Sequence, residues 1–121
     1  MDKSTLRLRI RITFGDHGMI GPGKAELLDR IARCGSIAAA GREMGMSYRR
    51  AWELVGTMNA MFRDPVVTRT RGGPGGGGAA LTEAGREVLA LYRAFEREAM
   101  IAGAEQIAEL QSRLRDIPDE K

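Results

Sequence analysis

The sequence has few groups suited to covalent or metal chemistry. Cys34 is its only cysteine, so no disulfide can form within the chain. No secretory leader is visible either, and the two together imply a reducing, cytoplasmic setting. Cys34 itself reads as a small buried apolar residue near a helix end. His17 is the only histidine, with no cysteine or second histidine at ligand spacing, which argues against a metal site. No run approaches the roughly 20 apolar residues of a membrane span. The acids are scattered and surface-like, so no nucleophile and base pair up; no enzyme and no cofactor is implied. Gly21-Pro22-Gly23-Lys24 stops short of a phosphate-binding loop. The tract from Gly73 to Gly78 fits Gly-x-Gly-x-x-Gly only as any glycine run does, and no lysine with Ser or Thr follows it.

What is present suffices for one modest domain over residues 1–121. Apolar residues make up 43% and charged residues 29%, an ordinary globular balance. The formal net charge is +3, and its distribution says more than its size. Residues 1–60 hold ten Lys/Arg against six Asp/Glu, whereas residues 61–121 hold nine against ten. Positive charge leans towards the first half.

Residues 6–14, LRLRIRITF, alternate strictly, which predicts a half-buried strand. Leu6, Leu8, Ile10, Ile12 and Phe14 share one face; Arg7, Arg9, Arg11 and Thr13 share the other. The arginine row has two readings, a solvated edge-protecting face or a set of phosphate contacts. Gly15 to Gly18 supply a turn, and Met19-Ile20 can pair back as a second strand. A helix opens near Pro22, buries Leu27, Leu28, Ile31 and Ala32, and ends at Gly35. Ser36 caps a second helix that stops at Gly45, with Ala38 to Gly41 small enough for a neighbouring helix to approach. Ser47 caps a third, to about Phe62, whose buried stripe is Ala51, Val55, Met58 and Phe62. Asp64-Pro65 stops it. Val66 to Thr70 and Ala79 to Leu81 read as strands around the glycine tract. Thr82 caps a long last helix over 82–117. Its apolar line is Ala84, Val88, Leu91, Phe95 and Ala99, followed after Gly103 by a short coiled-coil-like seam at Ile107, Leu110, Leu114 and Ile117.

The fold class this order implies is α+β, mainly α: a winged helix-turn-helix with an N-terminal β-strand or hairpin, a wing at 66–81 and a long C-terminal helix. A recognition helix enters the major groove by its N-terminal end, so base readers belong in its first turns. Here those turns carry Tyr48, Arg49, Arg50 and Trp52. Arginine can bond two acceptors of guanine at once, and tyrosine can donate a hydrogen bond or touch a thymine methyl. Ser36, Ser47 and the helix N-termini suit backbone phosphates. Trp52 either lines the groove or packs on the wing, and packing is favoured because a large indole is costly to leave exposed. Arg69 and Arg71 on the wing are placed for phosphate or minor-groove contacts.

The stretches GSIAAAGREMGMSYRRAW, MNAMFRDPVVTRTRGGPGGGGAALTEAGREVLALYR and GPGKAELLDRIARCGS resemble the DNA-binding domain of the ModE family of molybdate-responsive regulators. A more distant likeness is to LysR-type regulators, although Gly41 stands where their commoner pattern has alanine. The similarity covers about residues 6–100. It implies a homodimer on a pseudo-palindromic operator in double-stranded DNA, with Ser47, Tyr48 and Arg49 at the operator. The 82–117 helix and the N-terminal strand are the expected dimer contacts. Full-length members carry C-terminal oxyanion-binding domains. This sequence leaves no room for them, so molybdate is not expected as a directly bound effector. The rival readings are a protein-interaction module of the same fold without DNA affinity and a small oxyanion-binding protein.

Overall fold

The computed structural model describes residues 6–70 and 78–115. In chain order the elements are β1 (Ile12–Thr13), a 3-10 turn (Gly15–His17), β2 (Met19–Ile20), α1 (Pro22–Cys34), α2 (Ile37–Glu43) and α3 (Tyr48–Met61). Then come β3 (Val67–Thr70), β4 (Gly78–Leu81), α4 (Glu83–Ala102) and α5 (Ala104–Ser112). Two antiparallel hairpins result, β1 with β2 and β3 with β4. In the second, Val67 faces Leu81 and Thr70 faces Gly78. Three helices followed by this hairpin make a winged helix-turn-helix, mainly α, as the element order in the sequence predicts.

The helix boundaries follow from their end residues. Gly35 adopts the left-handed conformation (φ 71°), and its N–H closes α1 onto the Ile31 carbonyl at 2.8 Å. Ser36 and Ser47 cap α2 and α3: their hydroxyl oxygens accept from the Ala39 and Arg50 N–H groups, both at 3.0 Å. Gly45, also left-handed (φ 75°), turns the chain between them. Thr82 Oγ1 accepts from the Gly85 N–H at 2.9 Å, capping α4, and donates to the Pro65 carbonyl at 2.6 Å.

The core lies where α1, α2, α3 and the wing meet. Leu27, Leu28 and Ile31 of α1, Ala40 of α2, and Ala51 and Met58 of α3 are fully buried, together with Val66. Two glycines let backbones touch. A Cβ on Gly41 would lie 2.8 Å from that of Ala51, so α2 and α3 pack at close range. A Cβ on Gly85 would lie 2.0 Å from the Val66 carbonyl oxygen, so α4 leans directly on the wing's base. A smaller cluster of Ile20, Ala25 and Tyr92 joins the N-terminal hairpin to α4, and the Tyr92 hydroxyl donates to the Ile10 carbonyl.

Four expectations need correction. Residues 6–11 are not a strand: β2 has two residues before Gly21 and Pro22 open α1, which leaves nothing for them to pair with among the described residues. The alternation survives as packing, with Leu8, Ile10 and Ile12 half-buried and the arginines exposed. The last helix is two helices, because Gly103 (φ −97°, ψ 11°) interrupts the ladder; glycine is the residue a helix interior tolerates least after proline. Leu114 falls beyond α5, and Ile117 lies outside the described residues. In α4 the inward side is Gly85, Val88, Leu89 and Tyr92, while Leu91 and Phe95 face outward. Ala32 is exposed and takes no part in the core.

Candidate nucleic-acid interface

Helix α3 has a core face, an opposite face and two flanks. Ala51, Val55 and Met58 face the core. Opposite them, Arg49 projects with 86% of its side chain exposed, 3.9 Å from the Glu53 carboxylate one turn on. An exposed pair at that distance holds the guanidinium loosely. Arg50 lies on one flank, and Tyr48 and Trp52 on the other. Both aromatic rings are about half exposed.

The wing is fastened to this helix by groups that leave the aromatic flank open. Asn59, on the last turns of α3, accepts from the Val66 and Val67 N–H groups at 2.8 and 3.1 Å and donates to the Val67 carbonyl at 3.1 Å. The other strand is tied to the α1–α2 turn, where the Ala79 N–H donates to the Gly35 carbonyl at 3.0 Å. The Arg69 guanidinium stands 5.7 Å from the centre of the Trp52 ring, a cation–π arrangement. Trp52 therefore leans on the wing and also presents nearly half its surface outward, a position between the two expected for it.

Ser36, Tyr48 and Arg69 converge on a cleft of about 370 Å³ between the starts of α2 and α3 and the wing, floored by Ile37, Gly78 and Ala79. Both cap serines use their oxygen as acceptor, which leaves each hydroxyl hydrogen free to donate. Of the residues expected at the site, Ser36, Tyr48 and Arg69 share this cleft, Trp52 meets it through Arg69, and Ser47, Arg49 and Arg50 are exposed at the start of α3; Arg71 lies outside the described residues. Sequence reasoning missed Asn59. Its signal is present in hindsight: a polar residue within one turn of the buried Val55–Met58 stripe, just before a strand whose N–H groups need partners.

Cys34 is not buried. It is half-exposed, and its thiol donates to Glu43 Oε2 at 3.2 Å. The Glu43 carboxylate, first as acceptor and then through burial and charge, pushes the thiol's pKa up. Glu43 in turn is held below its ordinary value by Cys34 and by Arg30, which donates to it at 2.9 Å. Arg30 also pairs with Glu26 at 2.7 Å, and Arg93 of α4 approaches Glu26 at 3.4 Å and Glu96 at 2.8 Å. This ionic chain braces α1 against α2 and α4.

Residues 23–86 match the bacterial regulatory helix-turn-helix proteins of the lysR family. The chain belongs to that family. It is also 49% identical over 77 residues to the molybdenum-pterin-binding protein MopB of Rhodobacter capsulatus, which covers 64% of this chain and 28% of that protein. It is 44% identical over 75 residues to the molybdenum transport protein ModE of Azotobacter vinelandii (62% and 28%). With the DNA-binding transcriptional dual regulator ModE of Escherichia coli K12 it shares 39% over 88 residues (73% and 31%). The chain thus spans about three-tenths of the length of these relatives. Both likenesses read from the sequence, ModE and LysR, are borne out. Among the described residues of this lysR-family chain no helix is long and apolar enough to cross a membrane.

Proposed function

We propose that this chain is the DNA-binding unit of a transcriptional regulator, with α3 entering the major groove by its N-terminal end. The observation that carries the reading is the outward face of α3. Arg49 is almost fully exposed and only loosely paired, on a helix whose opposite side is locked into the core. Arginine held out from a rigid helix is suited to bidentate contact with guanine. Tyr48 stands beside it for a second base or a thymine methyl. Arg69, set by Trp52, meets a phosphate on the wing side of the groove, and Ser36 and Ser47 donate to phosphates at the two helix starts.

The unit that binds is a homodimer on a pseudo-palindromic operator. Large apolar side chains on α4 and α5 support pairing: Leu91, Ile101 and Leu110 are 65–73% exposed, with Phe95 beside them. Two copies joined there present two α3 helices to successive major grooves about 34 Å apart.

The names of several relatives carry molybdenum. For this chain the reading favours DNA over an oxyanion. Arg30, Arg93 and Arg113 are held by carboxylates, whereas Arg49, Arg50 and Arg69 are exposed on the helix-and-wing face.

The test is selection of binding sites from genomic fragments at physiological salt. The expected result is enrichment of one inverted-repeat sequence. Recovery of unenriched DNA, or of none, overturns the reading in favour of a protein-interaction module.

A further inference from the structure

Helix α3 carries one acid on the side it turns outward. Glu53 is the only Asp or Glu between Glu43 and Asp64, and none lies from Val66 to Leu81. It stands one turn after Arg49 on the same face, with 58% of its side chain exposed. Its hold on Arg49 is weak. Glu26, Glu43, Glu96 and Glu109 each grip an arginine at 2.7–2.9 Å, whereas the Glu53 carboxylate is 3.9 Å from Arg49. An arginine that precedes its acid by four residues is also the weaker order on a helix. The Glu53 backbone carbonyl accepts from Thr57 Oγ1 at 3.0 Å, but its carboxylate accepts no hydrogen bond among the described residues. Both carboxylate oxygens therefore keep lone pairs open on the face turned to the duplex. An acid there is repelled by every phosphate it passes, so it lowers affinity unless a base supplies a donor.

We infer that Glu53 is a specificity-determining residue: its carboxylate accepts from the N4 amino group of a cytosine in the major groove, close to the guanine that Arg49 meets. The inference rests on the reading of α3 as the groove-entering helix. Four residues of helix rise about 6 Å, and successive bases on a strand are about 3.4 Å apart. The two side chains therefore start out about two base-pair steps apart at most. In the major groove cytosine presents an amino donor alone. Guanine and thymine present acceptors, and adenine sets the N7 acceptor beside its amino group. An ionised carboxylate can only accept. Cytosine satisfies it, and the acceptors of the other three bases repel it. Glu53 thus lowers affinity for DNA in general and sharpens the choice of one base pair, a repulsive element beside the attractive one of Arg49.

The experiment selects binding sites with the full chain and with its Glu53→Ala, Glu53→Gln and Arg49→Ala variants, and measures each protein on the wild-type site and on a random duplex. Wild type should select a cytosine in each half-site besides the guanine. Glu53→Ala should lose that preference, bind the wild-type site about tenfold more weakly and bind the random duplex more tightly. Glu53→Gln should move the preference to adenine, whose N6 and N7 match the acceptor and donor of an amide. Arg49→Ala should relax a different base pair. A Glu53→Ala protein that selects the wild-type sequence overturns the inference and leaves the α3 reading standing. So does relaxation confined to the base pair that Arg49→Ala relaxes, which would make Glu53 a positioning residue for Arg49. An equal loss on both duplexes also overturns it, as damage to the fold. A wild-type chain that selects no sequence overturns both.

Discussion

At the scale of single residues, the site depends on side chains held in place without being used up. Arg69 is the clearest case. Its cation–π contact with Trp52 contributes about 0.5–1 kcal/mol at an exposed site, enough to bias the guanidinium's position while leaving its N–H groups for a phosphate. Arg69→Ala should therefore reduce the salt slope of DNA binding by about 0.9 and raise Trp52 fluorescence accessibility to quenchers; an unchanged slope would remove Arg69 from the interface. Trp52 was hard to place from sequence because its helical position is equally close to the wing and to open solvent. Which one it meets depends on the path of β3, a tertiary fact. Cys34 was misread for a related reason. A cysteine near a helix end is usually buried, but here Glu43 arrives from the next helix to accept a hydrogen bond from its thiol. Because that carboxylate disfavours the thiolate, alkylation of Cys34 near neutral pH should be slower than that of a free thiol, and Glu43→Gln should accelerate it. Equal rates in the two proteins would show that the contact does not form in solution.

At the scale of elements, capping and spacing made most of the helices readable. Ser36, Ser47 and Thr82 each occupy the cap position that their hydroxyl chemistry suggests, and the apolar stripe of α3 is the buried one. Two of the failures share a cause. A strict alternation in residues 6–14 records which side faces the protein, but a strand also needs a partner, and only Ile12 and Thr13 have one. A continuous helical pattern across Gly103 records amphipathicity, yet says little about whether one glycine breaks the ladder. The wing's attachment was invisible because it runs through a side chain, Asn59, that bridges elements. Removing it in Asn59→Ala leaves the Val66 and Val67 N–H groups without their acceptor. The expected cost is about 1–3 kcal/mol, read as a lower denaturation midpoint, with a weaker non-specific affinity for DNA because Arg69 loses its footing. A variant as stable as the wild type would contradict this account of the wing.

For the whole molecule, two surfaces divide the work. One is the helix-and-wing face with Arg49 at its centre; the other is the apolar run of α4 and α5, away from the core. In the proposed dimer, pairing through the second would double the first, and a charge placed there should undo it. Leu91→Glu should shift the sedimenting species towards monomer and weaken operator binding without altering the preferred base at any position; a wild-type chain that is monomeric at micromolar concentration and binds DNA one to one would rule out the dimer. The central claim, that the N-terminal turn of α3 reads base sequence, is tested most directly by comparing wild type and Arg49→Ala on the selected operator and on random duplex. The account predicts a loss of about 1–3 kcal/mol on the operator, relaxed preference at one base pair per half-site, and little change on random DNA. An equal loss on both duplexes, or none on either, would contradict it.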